Sequence, residues 1–207
     1  MLLILDNGIS KDDKLSYTKN LIASMNNLKI DYIIVNKIQD IDHVKNKIKG
    51  IIITGSSMKL SKLSKKGSFE KYSFNIYYMN KFDVPVYGMC FGCQLLNIIY
   101  GGQLKDNIKY VCKDIDFQDY DNKCPLLKNI KIINFGYCFS DIVIPNKNLN
   151  IHVFASIIIN NNKKIGCGFE FEKNKIYGSL FHPELYNHTQ VVFKNFYDIC
   201  KKYQKSK

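Results

Sequence analysis

Along the first hundred residues, short apolar runs alternate with stretches of helical spacing. Leu2–Leu5 is an unbroken apolar run that predicts a buried strand. Leu15, Leu21, Ile22, Met25 and Leu28 share one face of a predicted helix over Leu15–Leu28. Asp31–Val35 predicts a second strand, Ile41–Ile48 a short helix, and Ile51–Thr54 a third strand ending in Gly55-Ser56-Ser57. A further apolar run reaches Cys90, and helical spacing resumes at once over about Gln94 to Tyr100 before Gly101-Gly102 stops it. Such alternation predicts an α/β fold with a mainly parallel central sheet flanked by helices.

After Lys109 the texture changes. Ile130–Phe135, Ile142–Ile144, Val153–Ala155, Ile165–Phe171 and Ile176–Phe181 read as short strands. They predict an added antiparallel β portion. Asn160-Asn161-Asn162 marks a turn. Gln190–Tyr203 reads as a closing amphipathic helix with Val191, Phe193, Phe196, Ile199 and Cys200 on its apolar side. Neither an internal repeat nor a linker interrupts the pattern, so residues 1–207 are expected to form a single domain.

The chain carries a formal charge of +12, yet all 30 basic residues are lysine and arginine is absent. Without arginine it lacks the best bidentate base reader, so nucleic acid is not an expected partner. The charge reads as a solvated basic surface, with attraction for an acidic partner or a phosphorylated substrate as the functional alternative. Lys59, Lys62, Lys65 and Lys66 form the one local basic cluster, a solvated loop or a docking surface for a partner. The opening apolar run is too short for a signal peptide, and no stretch approaches a membrane span. With seven irregularly spaced cysteines, a reducing cytoplasm and free thiols are expected. Cys112, Cys124 and Cys138 lack paired metal spacing, so neither a metal nor another cofactor is expected.

Chemistry concentrates at Gly88-Met89-Cys90-Phe91-Gly92-Cys93-Gln94. A cysteine between two glycines, at a strand-to-helix junction, is how a nucleophile is mounted on an elbow. The glycines let backbones pass closely, and the helix N-terminus favours a thiolate. Further on stands Phe181-His182-Pro183-Glu184. His182 can serve as base to Cys90, and Glu184 can orient the imidazole. Cys90 and Cys93 also form a C-x-x-C pair, which keeps a thiol-redox protein as an alternative. Against that alternative, the pair follows about three strands and the glycine pattern goes unexplained; Cys93 more simply packs beneath the helix.

These two motifs resemble the G-x-C-x-G-x-Q elbow and the F-H-P-E segment of the class I, or triad-type, glutamine amidotransferases. Within that family the likeness is greatest to the GMP synthase branch. Leu3-Ile4-Leu5-Asp6-Asn7-Gly8, Gly50-Ile51-Ile52-Ile53-Thr54-Gly55-Ser56, Val153-Phe154-Ala155-Ser156 and Tyr177-Gly178-Ser179-Leu180 extend the match. The resemblance implies a flavodoxin-like fold and hydrolysis of glutamine to glutamate and ammonia by a Cys90, His182, Glu184 triad. It implies an oxyanion hole from the Ser56 and Phe91 N–H groups, with Gly55, Gln94, Cys138 and Phe139 toward the substrate. Three departures stand out. Ser56 replaces a second glycine, the loop leading to the elbow is long and lysine-rich, and Phe139 in Phe139-Ser140-Asp141 replaces the histidine of a His-x-Asp turn. The chain has neither a Walker A pattern nor a pyrophosphatase-type Ser-Gly-Gly loop. Any GMP-forming use of the ammonia therefore implies a partner, a separate ATP pyrophosphatase subunit. A free-standing γ-glutamyl hydrolase of the same fold is the alternative within this chemistry.

Overall fold

The computed structural model describes residues 1–9, 17–64, 72–159 and 162–206. An eight-stranded sheet runs through the molecule in the order β2-β1-β3-β4-β10-β9-β8-β6. The strands are β1 (Leu2–Leu5), β2 (Tyr32–Val35), β3 (Gly50–Ile53), β4 (Val86–Met89), β6 (Asp119–Tyr120), β8 (His152–Ile159), β9 (Lys163–Glu172) and β10 (Ile176–Ser179). The first five in spatial order are mutually parallel, and the last three join antiparallel. A smaller antiparallel sheet has the order β11-β7-β5, built from β5 (Gln103–Asp116), β7 (Asn134–Ile144) and β11 (Phe181–His182). The expected α/β architecture with an antiparallel addition is therefore present.

The parallel strands are buried because helices cover both faces. Every residue of β1, β3, β4 and β10 is buried, which is why β1, β3 and β4 read as continuous apolar runs instead of alternating ones. Tyr87 packs on Phe193 and Phe196 of the C-terminal helix α5 (Val191–Lys205). Its neighbour Gly88 faces the opposite way, onto Gly92 and Leu96 of α4 (Phe91–Ile99). Of the helix predicted from Leu15, the α-helical part among the described residues is α1 (Lys19–Asn27), with Leu21 and Met25 inward; Leu15 lies outside the described residues. Ile41–Ile48 forms a 3-10 turn over Asp42–Lys47 rather than an α-helix.

Three further expectations need correction. The long loop before the elbow contains two helices, α2 (Leu60–Ser64) and α3 (Ser73–Lys81). In α3 only Phe74, Asn75 and Tyr78 face inward, too narrow a stripe to read from spacing. Asn75 exchanges amide hydrogen bonds with Asn7 beyond β1. Ile130–Ile133 is irregular instead of a strand; β7 begins at Asn134 and continues through the second predicted strand to Ile144, with its register against β5 shifting between Asp106 and Val111. The polar 14-residue β5 went unanticipated, because it is an edge strand with one side toward water. Of the Asn160-Asn161-Asn162 turn only Asn162 is described, and its φ of 57° fits a turn residue.

Candidate active site

Three parallel neighbours deliver the chemistry to one edge. β3, β4 and β10 lie side by side with Ile53 beside Gly88 and Met89 beside Ser179. Their carboxyl ends continue into Gly55-Ser56, Cys90 and Phe181-His182 respectively. The crevice outside the carboxyl ends of a parallel sheet is where such folds place their sites.

Cys90 caps α4 with φ 50° and ψ −104°, a backbone conformation L-residues rarely hold. Strain of this kind costs of the order of 1–3 kcal/mol and persists only where the surroundings impose it. Here they do. The Cys90 N–H donates to Ser179 O at 2.7 Å, and the Gln94 N–H donates to Cys90 O at 3.0 Å. Gly88 and Gly92 meet across the elbow: a Cβ on Gly88 would sit 2.6 Å from the Gly92 backbone, and one on Gly92 would sit 2.4 Å from Ile53 O. The sulfur thus stands at the N-terminus of α4, where aligned peptide dipoles favour negative charge. Its thiol donates to Cys138 O at 3.3 Å.

His182 and Glu184 lie behind the cysteine, both side chains fully shielded from solvent. His182 Nδ1 and Glu184 Oε1 are 2.7 Å apart. Thr189 fixes the Pro183 carbonyl between them with a 2.7 Å bond from its hydroxyl. Burial pulls the imidazole's pKa down, but the charges of Glu184 and Cys90 outweigh it, so His182 stands well above the ordinary histidine value. The other ring nitrogen, Nε2, makes no hydrogen bond of regular geometry among the described residues, although the Cys90 thiol is close enough to bond to the ring. Such looseness is common in nucleophile–base pairs before a substrate tightens them. A thiol, an imidazole and a carboxylate so linked can pass a proton from sulfur to ring and hold the resulting imidazolium.

A cavity of about 260 Å³ opens over the sulfur, lined by Tyr17, Ser56, Cys90, Gln94, Cys138 and Phe139. Phe91, His182 and Glu184 are outside this lining, and so, among the predicted substrate residues, is Gly55. It lies against the imidazole instead, where an added Cβ would be 3.3 Å from His182 Cε1. Phe91 is the first residue of α4, a position whose N–H has no partner within its own helix. Ser56 holds an ordinary negative φ, so serine fits this loop without backbone strain. Gln94 donates through its amide to Asp141 O at 3.1 Å, bracing β7 against the elbow helix. Phe139-Ser140-Asp141 is not a turn; it lies within β7. The buried Asp141 carboxylate accepts the Ser61 N–H and hydroxyl at 2.9 and 2.8 Å.

The C-x-x-C alternative finds no support in the placement of Cys93. That thiol is fully buried and packed against Gly178 of β10, and burial pushes its pKa well up. All seven cysteines are free, and no group of three or more potential ligands gathers for a metal among the described residues. Lys59 does not project from a docking loop: it pairs with Asp106 and lies 3.9 Å from Asp141. Lys62 is exposed, and Lys65 and Lys66 lie outside the described residues. A larger cavity of about 550 Å³ opens near Lys49 and the last turns of α5, toward the amino ends of the strands, and no cysteine or histidine lines it.

A model of the glutamine amidotransferase class-I family matches residues 5–199. The chain belongs to the class-I glutamine amidotransferases. It is 28% identical to a subunit of the glutamine-hydrolyzing GMP synthase of Methanobrevibacter smithii, over 92% of this chain and 94% of that protein. It is 26% identical to the glutamine-hydrolyzing GMP synthase of Plasmodium falciparum over 89% of this chain, but spans only 38% of that longer protein. In structure it resembles a candidate GMP synthase subunit from Thermoplasma acidophilum with a TM-score of 0.77 and 19% identity, covering 99% and 95% of the two chains.

For this amidotransferase, sequence patterns did not reveal Tyr17. Its ring stacks on the His182 imidazole, with centroids 5.0 Å apart and planes at 22°. No local motif marks it, because the contact joins residues 165 positions apart in the chain. No helix among the described residues is long and apolar enough to cross a membrane.

Proposed function

We propose that residues 1–207 act as one amidotransferase domain that hydrolyses the glutamine side-chain amide with Cys90 as nucleophile, His182 as acid and base, and Glu184 as the orienting carboxylate. The strained Cys90 elbow beside the buried His182–Glu184 pair carries this reading. Cys90 attacks the amide carbon while His182 takes the thiol proton, or pairs with an existing thiolate. The imidazolium then protonates the departing ammonia, and water releases glutamate from the acyl-enzyme. The Ser56 and Phe91 N–H groups would stabilise the tetrahedral oxyanion, a donor pair in which each member is worth about 3 kcal/mol. Gln94, Cys138 and Phe139 shape the pocket around the glutamine.

The ammonia acceptor in this reading is a separate GMP synthase-type ATP pyrophosphatase subunit. Support comes from the near full-length match to a GMP synthase subunit. The isolated chain is then a weak glutaminase that its partner activates by favouring the aligned state of the Gly55-Ser56 loop. Steady-state glutamate release, with and without the pyrophosphatase partner and its nucleotide, tests this. Cys90→Ala and His182→Ala should each abolish release, whereas Cys93→Ala should retain most of it. Full activity alone, unchanged by the partner and extending to γ-glutamyl peptides, would favour a free-standing hydrolase instead.

A further inference from the structure

β5 and β7 bring two more cysteines face to face at the rim of the cavity. Cys112 is registered directly opposite Cys138 on this antiparallel ladder. Opposed residues on such a ladder have Cα atoms about 4.5–5.5 Å apart, whichever hydrogen-bonding position they occupy. Disulfides span Cα separations of about 4.4–6.8 Å, so either position suits one. Cys112 is exposed and Cys138 half-buried, while the other five cysteines are buried.

The pair also touches the reactive centre. The Cys138 carbonyl accepts the Cys90 thiol at 3.3 Å. Its sulfur lies 3.0 Å from the Tyr110 hydroxyl, and Tyr110 and Cys138 both line the cavity over Cys90. The β5–β7 register is interrupted between Asp106 and Val111, so Tyr110 sits where strand pairing holds the wall least firmly.

We propose that Cys112 and Cys138 form a thiol–disulfide exchange site, oxidised by low-molecular-weight disulfides, whose closure reshapes the mouth of the cavity and lowers glutamine cleavage. The exchange itself stands on the strand register; its effect on catalysis rests on the reading of Cys90 as nucleophile. The exposed Cys112 thiolate attacks one sulfur of glutathione disulfide, breaking that S–S bond and expelling one glutathione thiolate. Cys138 then attacks the Cys112 sulfur of the mixed disulfide and expels the second. Two protein thiols lose two electrons, glutathione disulfide gains them, and the two thiol protons end on the two glutathione molecules. Burial of Cys138 pushes its thiol up, which makes the exposed Cys112 the entry point. Once the bond forms, Tyr110 loses the thiol it bonds to, and the residue whose carbonyl meets Cys90 is tied to β5.

The test equilibrates the full chain in graded ratios of reduced to oxidised glutathione. One portion is acid-quenched, alkylated and peptide-mapped by mass spectrometry; the other is assayed for glutaminase kcat/KM. A Cys112–Cys138 crosslink is expected, with kcat/KM falling about tenfold in step with it and recovering in dithiothreitol. The variant Cys112→Ser should keep the reduced enzyme's activity, form no crosslink and lose its redox response. Both cysteines staying alkylatable at every ratio would overturn the proposal. So would a crosslink that leaves activity unchanged, or a wild-type redox response in Cys112→Ser, which would point to modification of Cys90 instead. A reduced chain with no glutaminase activity would refute the functional reading, and the peptide map would still decide the exchange site.

Discussion

Replacing Gly92 by alanine sets two effects of opposite sign against each other. Gly92 sits in the first turn of α4 with no left-handed φ, so alanine should gain roughly 1 kcal/mol of helix propensity there. Its Cβ, however, would stand 2.4 Å from Ile53 O and 3.0 Å from Ile53 C and Cβ. Ordinary contact begins near 3.4 Å, so the elbow helix and β3 must part by about 1 Å. The neighbour is backbone of a central strand and cannot swing aside. Overpacking of this kind costs about 1–3 kcal/mol, which cancels the propensity gain or exceeds it by up to about 2 kcal/mol. At about 2–4 °C per kcal/mol for a chain of this size, Tm should change little or drop by up to about 8 °C. Activity should suffer more than stability. Parting β3 from α4 moves the Gly55-Ser56 loop away from Cys90, and a misplacement of about 1 Å can cost about a hundredfold in rate. Thermal unfolding by circular dichroism and glutaminase kcat/KM measure the two effects separately. A Gly92→Ala protein with raised Tm and kcat/KM within about twofold of wild type would refute the close-approach argument.

Three other outcomes can be checked with the same assays. Glu184→Gln keeps a hydrogen bond to His182 Nδ1 but removes its charge, worth about 1–1.5 kcal/mol, so kcat should fall roughly tenfold. Because the Glu184 charge favours the imidazolium against burial, its loss should also move the alkaline limb of the kcat/KM profile to lower pH; an unmoved limb would contradict that role. Tyr17→Leu removes the ring stacked on His182 and should lower kcat about two- to tenfold, read from the split of kcat against KM. Asp141→Ala removes the acceptor of the Ser61 N–H and hydroxyl and should cost about 1–3 kcal/mol in a denaturant titration; an unchanged midpoint would contradict that role.

The elements legible in sequence were those whose cause is local or whose burial is two-sided. A strand covered on both faces must be apolar at every position, so β1, β3 and β4 announce themselves as runs. The Cys90 elbow is equally local: two glycines and a cysteine within five residues dictate a tight turn, because no side chain fits where Gly88 and Gly92 meet. The closing helix follows the same logic, with Phe193, Phe196, Ile199 and Cys200 repeating on one face, although Val191 proved half-exposed and Val192 buried.

What stayed hidden depends on partners distant in the chain. β5 is polar enough to read as loop, and it becomes a strand only because β7 supplies its hydrogen bonds. Ile130, Ile132 and Ile133 read as a strand, yet among the described residues no strand ladder includes them, and Ile132 is 48% exposed. Spacing alone could not say that Lys59 turns inward to Asp106, that Cys112 faces Cys138, or that Tyr17 lies on His182. The sequence by itself singled out the residues proposed to carry the chemistry, since Cys90, His182 and Glu184 are marked by two short motifs. Only the tertiary structure decided that they meet. The insertion of β10 beside β4, parallel and in register, carries His182 and Glu184 to the edge where Cys90 stands, and that placement arises from strand pairing between segments whose sequences are silent about each other.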